Sequence, residues 1–80
     1  MPRYITILYP IIYSLEDLNQ LSEAIGGIDG ILEWTIDLDD RDKVLRIVAN
    51  MEVEEELTAQ LQLFGIGFSE LETFELQNLI

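Results

Sequence analysis

The chain has 80 residues, 49% hydrophobic and 25% charged, and sixteen Asp and Glu against four Lys and Arg give a formal charge of -12. That is the composition of one small soluble globular domain, read as a single unit over 1–80. It argues against nucleic acid and against an anionic membrane surface as partners, because neutralising phosphate needs clustered cations and Arg3, Arg41, Lys43 and Arg46 are the whole supply.

With no His and no Cys, the chain has neither the usual neutral-pH base nor a thiol nucleophile, disulfide or nitrogen and sulfur ligand set for zinc or copper. No apolar run approaches the roughly 20 residues of a membrane helix. Met1-Pro2-Arg3-Tyr4 does not open a signal peptide, and the expected location is cytoplasmic. Net stability is expected to be a few kcal/mol, held by one core without staples.

Ordered elements are expected from about Arg3 to Leu76. Arg3 to Tyr9 is β-branched and aromatic, apolar on both alternating faces, and halted by Pro10, which predicts a central strand. Ser14 followed three residues later by Asp17 is a variant of the capping box and opens a helix. Leu15, Leu18, Leu21 and Ile25 form its apolar stripe. Gly26-Gly27 ends it, on the expectation of a left-handed residue there.

Leu32, Trp34, Ile36 and Leu38 alternate with Glu33, Thr35 and Asp37, which predicts a half-buried strand over Ile31 to Leu38. A polar turn, Asp39-Asp40-Arg41-Asp42, leads into Val44 to Ala49, and the short connection makes an antiparallel hairpin. Asn50 or Glu52 is expected to begin a second helix with Val53, Leu57, Leu61 and Phe64 inward. Its glutamates crowd the first turn, where the helix dipole favours negative charge. Gly65 and Gly67 bracket the exit, and Phe68 to Leu76 closes as an acidic edge strand.

The order β-α-β-β-α-β predicts two right-handed crossovers sharing a hairpin. The result is an α+β, ferredoxin-like fold: a four-stranded antiparallel sheet of order 4-1-3-2, with both helices on one face. Placing Ile5 and Ile7 toward the helices turns Tyr4, Thr6 and Leu8 outward. Placing Leu45 and Ile47 inward leaves Val44, Arg46 and Val48 outside. A solvated antiparallel face reads mostly polar, so Tyr4, Leu8, Val44 and Val48 around Arg46 stand out as a candidate partner-facing surface. Asn78-Leu79-Ile80 adds apolar surface. Either the patch is small or covered by this tail, or it receives another protein or a second copy.

Gly27-Ile28-Asp29, Trp34-Thr35-Ile36-Asp37-Leu38, Lys43-Val44-Leu45-Arg46-Ile47, Glu55-Glu56-Leu57 and Gly65-Ile66-Gly67-Phe68 resemble, in that order, the heavy-metal-associated domain of small copper-chaperone-like proteins and metal-transporting ATPases. The resemblance covers roughly Arg3 to Phe74 and rests on core packing. It implies a metal site in the first loop, built from a methionine and a Cys-x-x-Cys pair, since thiolates are what soft metals require. Here that stretch is Tyr9-Pro10-Ile11-Ile12-Tyr13-Ser14, without sulfur or imidazole. No metal ligand of the family carries over, and Pro10, Ile11, Ile12 and Tyr13 mark a degenerate metal loop.

Other chemistry is thin. Asp37, Asp39, Asp40 and Asp42 invite a weak carboxylate cation site. A calcium loop needs a glycine sixth and a glutamate twelfth, and Asp42 and Val48 stand there instead. An acidic turn explains the cluster as well. Glu54-Glu55-Glu56 reads as a solvated helix start or a patch for a basic partner. Ser14, Ser22 and Ser69 have no base besides carboxylates, and an acylphosphatase-type anion loop would need an arginine where this first loop has none. The expected function is therefore a non-catalytic interaction or regulatory module without cofactor, with homodimerisation through the open sheet face as its mechanism. A small-molecule-sensing domain is the alternative, by fold analogy with the amino-acid-sensing ACT domains.

Overall fold

A computed structural model describes residues 2–39 and 43–76. Its elements are β1 (Arg3–Pro10), α1 (Leu15–Gly26), β2 (Ile31–Asp37), β3 (Val44–Ala49), α2 (Glu54–Leu63) and β4 (Phe68–Leu76). The strands form one sheet in the order β2-β3-β1-β4, with every neighbouring pair antiparallel. Both helices cover one face. Leu21, Ala24 and Ile25 of α1 and Leu57 and Leu61 of α2 close a core over Leu8, Leu45, Ile47 and Ala49. Among the described residues no helix is long and apolar enough to cross a membrane.

The helix ends follow from local chemistry. Ser14 caps α1: its Oγ accepts the Asp17 amide at 3.1 Å, while Asp17 Oδ2 reaches back to the Tyr13 amide at 2.9 Å. One orphan donor of the helix and the amide just before its cap are thereby satisfied. Gly27 closes α1 at φ -88°, not in the left-handed region. That conformation falls to Gly65, at φ +72°. There the Ile66 amide bonds to the Leu61 carbonyl at 2.8 Å and the Gly65 amide to Gln62 at 3.1 Å, the paired bonds of a Schellman end. Neither Asn50 nor Glu52 starts α2, because Val53 is its N-cap and offers no side-chain bond. The Asn50 amide is engaged by the Gly30 carbonyl at 2.9 Å instead. Leu15, expected inward, is 77% exposed. The stripe starts one turn later and includes Ala24.

The largest departure concerns β1. Thr6 and Leu8 are the buried residues, at 1% and 0% exposure, and Ile5 and Ile7 are on the other side. The phase follows from pairing. Tyr4, Thr6 and Leu8 lie opposite Ala49, Ile47 and Leu45, all core residues, and directly opposed residues share a face. Burying a hydroxyl costs free energy unless it is bonded, and Thr6 Oγ1 lies 2.9 Å from Thr73 Oγ1 on β4. A polar residue therefore sits comfortably inside while two isoleucines face out. Pro10 does not stop the strand short. It is the last residue of β1, buried and paired with Phe68.

Candidate functional site

The surface of interest is the sheet face turned away from the helices. Val44, Arg46 and Val48 lie on it, by alternation with buried Leu45, Ile47 and Ala49. Tyr4 and Leu8 do not. They belong to the helix-facing side, and the open-face positions of β1 are Ile5 and Ile7. The expectation failed by one residue of phase, which in a strand inverts every side chain.

Registers across the sheet arrange this face in rows. Glu33, Val48, Ile5 and Phe74 form one row; Thr35, Arg46, Ile7 and Glu72 form the next. The first is apolar across three strands, with Phe74 49% exposed at the edge. In the second, Arg46 and Glu72 flank Ile7 on opposite sides. A bulge interrupts β4 here: the register shifts between Ile7 and Tyr9, and Glu70 takes φ +51°, a left-handed conformation rare for a residue with a Cβ. Beside it Ile7, Tyr9, Glu70, Glu72 and Phe74 line a shallow hollow of about 190 Å3.

The first loop is built as packing. Ile12 is buried in the core, whereas Ile11 is half exposed and Tyr13 is 88% exposed. The Ile11 amide donates to the Gly67 carbonyl at 2.8 Å, pinning the loop to the start of β4. A Cβ on Gly67 would come within 3.1 Å of Ile11 Cδ1, so the Ile11 side chain would have to give by a few tenths of an ångström to admit one. Pro10, Ile11, Ile12 and Tyr13, with Tyr9, Lys43 and Ser69, line a hollow of about 290 Å3. Its polar groups are one ammonium and hydroxyls, none of them a soft donor.

In the hairpin, the Asp39 amide donates to Asp37 Oδ1 at 3.1 Å, which uses the carboxylate to form the turn. Asp40, Arg41 and Asp42 lie outside the described residues, as do Asn78, Leu79 and Ile80. Among the described residues no three metal-ligating side chains converge.

No family model and no curated protein matches this chain. Among solved structures it is similar to the apo form of the HMA domain of the copper chaperone for superoxide dismutase. The identity is 14%, over 96% of this chain and 78% of that one, with a TM-score of 0.65. It is also similar to an AsnC family transcriptional regulator from Agrobacterium tumefaciens, at 16% identity over 99% of this chain and 52% of that chain, with a TM-score of 0.62. The chain thus spans about half the length of that regulator. It has the ferredoxin-like fold of a heavy-metal-associated domain and, having no cysteine, none of the thiolates from which a site of that kind is built.

Proposed function

We propose that this chain is a non-catalytic interaction module that pairs with a second copy of itself through the open face of its sheet. The observation that carries the proposal is the apolar row Val48, Ile5 and Phe74, on a face where an isolated domain would place polar residues. Likeness to part of a transcriptional regulator and to a chaperone domain supports a small regulatory or interaction role.

Charge selects how two copies meet. Take a two-fold axis lying between the faces, parallel to β1 and passing over Ile7. It sets Arg46 of each copy against Glu72 of the other and Val48 against Phe74. An axis across the strands would instead oppose Arg46 to Arg46. Only the first is self-complementary, as a closed two-fold contact must be. Four strands about 4.8 Å apart and roughly seven residues long give a small face, about 400 Å2 in projection. Two chains of charge -12 also repel. The pairing is accordingly weak and reversible, suited to exchange with another protein.

Sedimentation equilibrium on a charge-reversal set tests it. Arg46→Glu and Glu72→Arg should each weaken self-association by about tenfold, and the double reversal should restore it. A wild type that stays monomeric at millimolar concentration, or a double reversal no better than the singles, would overturn the proposal.

A further inference from the structure

A second surface is separate from the sheet face. Between the outer flank of α2 and edge strand β4 runs an open trough of about 530 Å3, lined by Glu54, Glu55, Thr58, Ala59, Gln62, Phe68 and Leu71. Its floor is Phe68 and Leu71, both partly buried against the core. The bulge at Glu70 brings them together: one extra residue puts positions three apart on the same side of the strand. At Glu54 and Glu55 the trough meets a second hollow, of about 310 Å3, walled by Glu52, Glu54, Glu55 and Glu56.

Three features bear on what would occupy it. The floor is apolar. One end is acidic, and no Lys or Arg occurs anywhere after Arg46, so the chain offers these glutamates no cation from α2 or β4. The helix dipole accounts for acids in the first turn of α2, but not for an apolar floor left half open beside them. Third, β4 is the end of the sheet and, among the described residues, pairs with β1 alone, which leaves its outer edge to receive another strand.

We propose that this trough binds an extended segment of another protein that presents apolar residues and then Lys or Arg at alternate positions, on one face, docked beside β4 as a fifth strand. Backbone pairing along the edge supplies the affinity common to strand addition. Every second side chain of the guest turns to the helix side, where its apolar residues meet Phe68 and Leu71 and, farther along the same face, its cations meet the glutamates at the head of α2. An amphipathic helix would cover the floor and leave the edge unpaired, which makes the strand the better match.

The test is fluorescence anisotropy with a labelled synthetic peptide about eight residues long, the length of a typical strand, in which Leu and then Lys occupy alternate positions and Thr fills those between. Controls are the same peptide with Glu for Lys, and one of identical composition with Leu at helical spacing. The alternating peptide should bind most tightly and the Glu peptide should not bind. Ala59→Arg, a change at an exposed helix position, should weaken binding by at least about tenfold by filling the trough and opposing the cations. Glu54→Gln with Glu55→Gln should weaken it by a smaller factor, and Arg46→Glu, on the sheet face, should leave it unchanged. Failure of the alternating peptide to bind, equal binding by the helically spaced peptide, or indifference to Ala59→Arg would overturn the proposal. None of these results would alter the self-association measurement.

Discussion

The two faces of β1 are both largely apolar and have opposite fates. Under the helices are Tyr4, Thr6 and Leu8; on the open side are Ile5, Ile7 and Tyr9. By hydropathy the isoleucine face should be the core. It is not, because what surrounds a strand decides its phase: Leu45, Ile47 and Ala49 oppose the helix-side residues, and Thr73 satisfies the one hydroxyl that has to be buried. Hydrophobicity kept on a face the fold does not need to bury is what the proposed self-association rests on.

The comparison is broken most easily by truncation. Leu8→Ala should cost roughly 2–5 kcal/mol of unfolding free energy, the range for a fully buried leucine leaving a cavity. Ile7→Ala, on the half-covered face, should cost about 1 kcal/mol. Denaturant unfolding at a concentration low enough to keep the protein monomeric measures both. Equal costs would mean that the open face is as much core as the other.

A smaller effect sharpens the same distinction at the end of the strand. Tyr4 donates its hydroxyl to Glu75 Oε1 at 3.4 Å. Its phenol titrates above the ordinary value of 10.0, first through desolvation and then through the negative charges of Glu75 and Glu52 and the bond to Glu75. A raised folded-state value means that the native protein holds this proton more tightly than the unfolded chain. The associated stability is complete below the unfolded value and is lost as pH rises through the folded one. Thermal unfolding should show a decline above pH 10 that is shallower in Tyr4→Phe; an identical decline would mean that the contact with Glu75 does not hold this proton.

Much of this was legible from residue patterns. The element order, the sheet order and the inward sets of β3 and α2 follow from period and turn chemistry, since Val53, Leu57 and Leu61 have a polar reverse side and Arg46 marks the outward side of β3 between Val44 and Val48. The phase of β1 was not legible, because a strand apolar on both sides carries no period-2 signal and its solution lies in the pairing with β3 and the Thr6–Thr73 contact with β4, both distant in the chain. Leu15 misled because a leucine one turn too early continues a stripe on paper while the core ends at Leu18. The trough was hidden for a related reason: Phe68 and Leu71 reach the same side only through the bulge at Glu70, and a strict alternation separates them. The absence of a thiol site, by contrast, needs nothing but the residue inventory.

The account stands or falls on which face meets a partner. A dilution series followed by methyl resonances in solution tests this most directly. The methyl groups of Ile5, Ile7, Val44 and Val48 should shift together as protein concentration rises, while those of Leu8, Leu45 and Leu57 stay fixed. Shifts confined to the helix side, or a spectrum indifferent to concentration, would contradict it.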